Sequence, residues 1–284
     1  MARIISLFKH NIMSYALVTG AAKGIGRAIA AELAAKKYSL LLADIDGPGV
    51  REVAGTLSKQ YGIDAQYLQT DLSQPGAADQ LKLWTGGYHQ LLNVVVNNAG
   101  YGLNGRFEEL SLSSQLNIID LNIKTQVAVS HAFIPILRSF PQSYLLNVGS
   151  TTAFQSVPYL NVYAATKAFV LSFTRSLRHE LRQSPISVSC LIPGSTDTDF
   201  VNRAGMGAGT LRIASRFNMT PESVGKTAVQ GLFAGKAEII PGFTNRLNAF
   251  LPKFFPKAFV EKIAAGIYRP RPEEPLLKPV TGHV

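Results

Sequence analysis

Cysteine is almost missing from this 284-residue chain. Cys190 stands alone, so no intrachain disulfide can form, and its place in the apolar run Ile186 to Ile192 marks it as a buried, inert thiol. Charge is scarce too: 16% of residues are charged against 46% hydrophobic, which excludes a solvated, disordered chain and supplies a core. The histidines (His10, His89, His131, His179 and His283) are scattered with no H-x-x-x-H spacing, so no metal site is expected. No stretch approaches the roughly 20 consecutive apolar residues that cross a bilayer. The opening MARIISLFKHNI lacks the small-residue cleavage site of a secretory signal, so a cytoplasmic location is expected, with Met1 and Met13 as alternative starts. Acidic residues are outnumbered, leaving a formal net charge of +10. The basic residues are spread along the chain and no nucleic-acid-binding module is visible, so they read as solvated surface, and no nucleic-acid partner is expected.

What is present is a regular alternation. Apolar runs of strand length occur at Tyr15 to Thr19, Ser39 to Asp44, Ala65 to Gln69, Leu92 to Asn97, Tyr144 to Gly149, Ile186 to Ile192 and Glu238 to Pro241. Between them lie helical patterns such as Ile25, Ile29, Leu33 and Val170, Phe173, Leu177, Leu181. Near-continuous apolar strands separated by helices predict an α/β fold whose parallel sheet is covered on both faces. The expected fold is one doubly wound, Rossmann-type domain with a seven-stranded parallel sheet over residues 14–242. It follows an N-terminal extension (1–13) and precedes an amphipathic, Phe-rich extension with a Pro-rich tail (243–284), in which Pro252 and Pro256 break the pattern into short helices.

The first strand runs into Thr19-Gly20-Ala21-Ala22-Lys23-Gly24-Ile25-Gly26, with a helix directly after it. Glycines at such a turn let the backbone approach a pyrophosphate, and the helix N-terminus supplies free N–H groups and partial positive charge. Asp44, ending the second strand, stands where a carboxylate accepts from adenosine ribose hydroxyls; a turn former is the plainer reading. Asp71, after the third strand, is an adenine-side contact or a helix cap before Leu72. A carboxylate at Asp44 suits the free 2′-hydroxyl of NAD and opposes the 2′-phosphate of NADP, so NAD is the favoured cofactor. Lys23 could instead pair with that phosphate, neutralise Asp44 or sit in water, which keeps NADP as the alternative.

Tyr163 and Lys167 stand four apart on an expected helix, so both side chains rise from one face. An ammonium beside a phenol favours the phenolate, and such a tyrosine can donate a proton to a carbonyl oxygen or take one from an alcohol. Ser150 lies thirteen residues upstream, just past a strand end, where parallel sheets place their ligands. Other motifs are Asn97-Asn98-Ala99-Gly100, Asn122 within Asp120-Leu121-Asn122, Tyr163-Ala164-Ala165-Thr166-Lys167, and Pro193-Gly194 with Thr198. In this order and spacing they resemble the short-chain dehydrogenase/reductase family from about Met13 to Gly242.

The resemblance implies a nicotinamide-dependent oxidoreductase acting on a small carbonyl or alcohol. Ser150 would orient the substrate oxygen and Tyr163 would be the acid/base. Lys167 would lower the phenol's pKa and bind the nicotinamide ribose, and Asn122 would hold a relay water. Asn98 to Gly100 would brace the fourth strand and line the adenosine side, and Thr198, after Pro193-Gly194, would reach the carboxamide. Phe200 to Met219 resembles a substrate lid, and homo-oligomers would form through helices spanning about Ser113 to Arg138 and Leu160 to Gln183. A non-catalytic cofactor-binding regulator is the alternative from another class, and the complete Ser/Tyr/Lys set speaks against it. A membrane-associated lipid oxidoreductase is a third reading, drawn from the Phe-rich extension with Arg246, Lys253, Lys257 and Lys262. The favoured expectation is that these helices are mostly buried, over the protein's own hydrophobic substrate pocket or a partner subunit.

Overall fold

The computed structural model describes residues 14–197, 204 and 218–270. The apolar runs become the parallel strands β1 (Tyr15–Thr19), β2 (Ser39–Asp44), β3 (Ala65–Gln69), β4 (Leu92–Asn97), β5 (Ser143–Val148), β6 (Ile186–Leu191) and β7 (Glu238–Ile239). The first four coincide with the expected runs, β5 begins and ends one residue earlier, and β6 stops one residue sooner. β7 is half its expected length: it is an edge strand, and Pro241 has no N–H to extend a ladder.

The sheet order is β3-β2-β1-β4-β5-β6-β7. The chain winds outward from β1 to β3, then crosses back to pair β4 on the other side of β1. That reversal opens a crevice at the carboxyl ends of β1 and β4, the position that accepts ligands in doubly wound folds.

Alternate strand residues feed two cores. Val18, Leu42 and Val96 pack with Ile29 and Leu33 of α1 (Gly24–Ala35), Val53 and Leu57 of α2 (Gly47–Tyr61), and Val229 and Leu232 of α7 (Pro221–Phe233). Leu17, Leu41 and Val95 pack on the opposite face with Leu81 of α3 (Ala77–Trp84) and with Val129 and Phe133 of α5 (Thr125–Leu137). The helix expected from Ser113 to Arg138 is divided. α4 (Leu112–Ile119) passes into a π-helical turn, Asp120–Lys124, before α5. The wider turn carries Asn122 fully inside the protein.

α6 (Asn161–Glu180) follows β5. Beyond β7, Gly242 turns with φ 79° into α8 (Phe243–Phe250), a 3₁₀ turn (Leu251–Phe254) and α9 (Lys257–Tyr268), broken where Pro252 and Pro256 predict.

Candidate active site

The glycine-rich turn is shaped by its own close packing. Gly20 and Gly24 take left-handed φ values of 65° and 56°, and a Cβ on Gly26 would lie 2.0 Å from the Gly20 carbonyl oxygen. Asp46, Ser111 and Thr220 cap α2, α4 and α7 with their side chains, but none caps α1, and its first turn holds no acidic residue. Its leading N–H groups, at Gly24, Ile25 and Gly26, and the positive end of its dipole therefore suit an anion, and this donor set fits a dinucleotide pyrophosphate.

Two residues hold that turn against the rest of the crevice. The Thr19 hydroxyl donates to the Val96 carbonyl and accepts the N–H groups of Asn98 and Ala99 at 3.0 and 3.1 Å. Asn98 returns its amide hydrogens to the carbonyls of Thr19 and Gly20 at 2.9 and 3.0 Å. Asn98 thus ties the end of β4 to the end of β1, with both side-chain hydrogens directed at protein carbonyls. Thr19 opens the glycine motif, but the pattern gave no role to its hydroxyl, which is the pivot.

Asp44 accepts the N–H of Ala22 at 2.9 Å on one oxygen and that of Asp46 at 3.0 Å on the other. The carboxylate is fixed at the strand end beside the turn, in a turn-forming role. Lys23 pairs with Asp46 at 3.0 Å, a partner its sequence reading did not consider. Asp71 accepts from Ser73 and Gln74; although its burial opposes ionisation, these hydrogen bonds hold its carboxyl below the usual range. It closes a turn instead of capping a helix, since α3 begins only at Ala77.

The second cluster lies at the ends of β4 and β5. Ser150 follows β5, and the bond from the Thr151 N–H to the Pro193 carbonyl, 3.0 Å, draws the Pro193-Gly194 loop beside it. α6 turns Tyr163 and Lys167 inward on one face, and Ser150, Tyr163 and Lys167 are all buried. Burial raises the Tyr163 phenol above its ordinary value, while a hydrogen bond from Ser150 pulls the other way. Lys167 donates to the Val148 carbonyl at 2.9 Å and stands 5.7 Å above the Tyr163 ring. Directed at a carbonyl and a ring face, the ammonium does not bring the phenol down here as the pairing predicted; burial decides the direction. The same burial draws Lys167 itself down to about 8.

Asn122 joins this cluster. Its amide donates to the Tyr101 carbonyl at 2.9 Å and the Thr166 hydroxyl at 3.0 Å, and its oxygen accepts the Tyr101 N–H at 3.2 Å. The side chain is thus a clamp on the loop after β4. A Cβ on Gly100 would lie 2.8 Å from the Asn122 oxygen and 3.4 Å from the Lys167 nitrogen, so the backbone passes where only glycine fits. Behind the cluster, buried Asn97 donates to Ser130 and to Asn147, which donates to Thr174, tying β4, β5 and α6 together. These residues sit among apolar strand positions, and periodicity gives no sign of such a network.

The C-terminal helices reach the same place. A Cβ on Gly194 would lie 2.0 Å from the Asn245 side-chain oxygen, so α8 is fitted against the Pro193-Gly194 loop. Tyr268, ending α9, comes near enough to Tyr163 to raise its phenol electrostatically. Buried Asn104 donates to the carbonyls of Tyr159 and Tyr268 at 3.1 and 2.9 Å, and its own N–H meets the Ala204 carbonyl at 2.7 Å. One amide therefore joins the loop after β4, the approach to α6 and the end of α9. Within the single chain the extension is half covered, so of the two expected covers the protein's own pocket accounts for only part. Only the inner faces of these helices are covered, while Phe243, Phe250, Phe254 and Phe259 are exposed, because small and polar residues occupy the inward positions. Thr198 and nearly all of the expected lid lie outside the described residues.

Comparison with known proteins agrees with this architecture. The family model for short chain dehydrogenases matches residues 14–207. A Mycobacterium tuberculosis protein provisionally named oxidoreductase SadH is 29% identical over 265 residues, covering 89% of this chain and 94% of its own. The 1-deoxy-11-beta-hydroxypentalenate dehydrogenase of Streptomyces avermitilis is 36% identical over 192 residues, covering 66% and 71%. Among solved structures, a short-chain dehydrogenase from Sphingobium yanoikuyae in complex with NADPH superposes with a TM-score of 0.75 at 23% identity, over 93% of this chain and 98% of its own. One from Burkholderia phymatum in complex with NAD does so with a TM-score of 0.75 at 22% identity, over 85% and 93%. The motifs, the doubly wound sheet and the family match agree: the chain is an oxidoreductase of the short-chain dehydrogenase/reductase family.

Proposed function

We propose that this protein reduces a carbonyl, or oxidises the corresponding alcohol, of a hydrophobic small molecule, with Tyr163 as the general acid/base. The observation that carries this reading is the buried convergence of Ser150, Tyr163, Lys167 and Asn122 across the crevice from the uncapped N-terminus of α1. A bound nicotinamide supplies or accepts the hydride. The protein's own part is the proton. The Tyr163 phenol donates to the substrate oxygen as a C–H bond forms at the carbonyl carbon, and in the reverse direction its phenolate takes the alcohol proton. Ser150 positions that oxygen. Lys167 holds its ammonium 5.7 Å from the Tyr163 ring, and its charge would oppose the cost of burying the phenolate left after proton transfer. Val157, Leu160, Ala164 and Ala264, with Tyr268 packed on them, form an apolar cluster around the start of α6, and these apolar surroundings support a hydrophobic substrate. The Streptomyces relative, named for a hydroxypentalenate, points the same way.

NAD is the preferred cofactor on this reading. Asp44 is locked at a rigid strand end by two backbone donors, whereas the exposed Lys23–Asp46 pair contributes only about 0–1 kcal/mol. Exposed Leu112, Leu116 and Phe169 on α4 and α6 favour self-association through those helices. The test is a turnover screen of ketones, aldehydes and alcohols graded by chain length with both nicotinamides, repeated on Tyr163→Phe. The variant should keep cofactor affinity within a few-fold and lose at least about 100-fold in turnover. Near-normal turnover would remove Tyr163 from the chemistry.

A further inference from the structure

The two C-terminal helices are amphipathic in the inverted sense. In α8 the buried positions are Asn245 and Ala249, at 7% and 4% exposure, while Phe243, Leu247 and Phe250 form a stripe facing solvent. In α9 the buried position is Ala264, and Phe255 just before the helix, Phe259 and Ile263 recur four apart on the outside. A helix that only roofed its own pocket would turn its aromatic side inward. Phe243, 79% exposed, and Phe254, 67% exposed, sit instead among the most solvent-accessible large apolar residues described.

Charge selects the occupant. Across 243–270 the basic residues are Arg246, Lys253, Lys257, Lys262 and Arg269, against Glu261 alone. Arg246, Lys257 and Lys262 are exposed and enter no ion pair among the described residues. We infer that this aromatic, basic face docks the protein on an anionic lipid bilayer, with α8 and α9 lying in the interface plane. Aromatic side chains entering the acyl boundary while lysines and arginines meet the headgroups is the physics of such helices. Among the described residues no helix is long and apolar enough to cross a membrane, so the contact lies in one leaflet. A second copy of the chain fits less well, because a two-fold interface would press each basic set against its own copy. The docked face adjoins the site: Tyr268, ending α9, packs against Leu160 and Ala164 on either side of Tyr163 in sequence, so a lipid-soluble substrate would meet the site from the membrane side. The docking itself does not depend on the proposed reaction.

Flotation of the full chain with phosphatidylcholine vesicles containing roughly one third phosphatidylglycerol tests this. The protein should rise with these vesicles at low salt. Binding should fall at least ten-fold on pure phosphatidylcholine, since each basic residue near an anionic surface strengthens partitioning about five-fold. The triple variant Phe243→Ser/Phe250→Ser/Phe259→Ser should lose at least ten-fold in binding while keeping its turnover of a water-soluble substrate. Should that variant fail to fold, Arg246→Glu/Lys262→Glu must show the loss. Failure to float with anionic vesicles, equal binding to neutral ones, or self-association that the triple variant abolishes would each overturn the inference. Turnover is read separately, so loss of the proposed activity and loss of docking are distinguishable.

Discussion

Replacing Lys167 with methionine separates what the buried ammonium does for the site from what it costs the fold. Burial lowers Lys167 to about 8 from an ordinary 10.5. Between those values the unfolded chain binds a proton that the folded chain has released, so raising the pH through this interval favours folding. The whole displacement corresponds to about 3 kcal/mol, borne in full below the folded value and relieved above it. From about pH 7 to about pH 9 the relief is roughly 1 kcal/mol. The neighbouring Cys190 thiol, pushed up by burial to about 12 from 9.0, works in the opposite direction at higher pH, but it is present in both proteins and leaves their difference nearly untouched. Methionine also leaves the Val148 carbonyl without its donor, an offset of about 1–3 kcal/mol that does not vary with pH. Urea denaturation of both proteins across this range measures the effect. The stability of the wild type relative to Lys167→Met should climb by roughly 1 kcal/mol from about pH 7 to about pH 9. A flat difference would show that Lys167 is not held below its ordinary value and would refute the reasoning.

Two further outcomes are expected. Asp44→Ala should shift the ratio of kcat/KM values several-fold toward NADP, because removing one carboxylate is felt most by the phosphorylated cofactor; steady-state kinetics with both nicotinamides check it, and an unchanged ratio would exclude Asp44 as the discriminator. Asn104→Ala removes the side-chain donor from the Tyr268 carbonyl and leaves the Tyr159 carbonyl with the Gly105 N–H alone, so the end of α9 should exchange amide hydrogens faster and KM should rise several-fold with less effect on kcat. Unaltered exchange over 257–268 would show that Asn104 does not hold α9.

The strands and the chemical motifs were legible because their signals are local. A strand covered on both faces must be apolar along its length, as in Leu40 to Ala43 or Val94 to Val96. Glycine was readable at Gly20 and Gly24, where φ is positive, and four-residue spacing put Tyr163 and Lys167 on one face. The π turn at Asn122 was not readable, since nothing in Asp120 to Lys124 differs from ordinary helix; the turn accompanies the hydrogen bonds of the Asn122 amide to Tyr101 and Thr166, which are remote in sequence. Thr19 and Asn97 stood in the quoted motifs without a role, and Asn104 and Asn147 drew no notice, for the same reason. Each works through a contact far away in the chain.

The Phe-rich extension marks the boundary most sharply. Its helical spacing and its proline breaks were written in the sequence, but amphipathic periodicity carries no sign: it says that one side is apolar and not which side faces the protein. Tertiary packing made that choice. Asn245 closes on Gly194, and Asn104 holds the end of α9, so the small faces turn inward and the aromatic faces turn out. The same division holds for the proton chemistry. Residue types and spacing nominated Tyr163 and Lys167, whereas the direction in which each is shifted depends on burial, a property of the folded molecule alone.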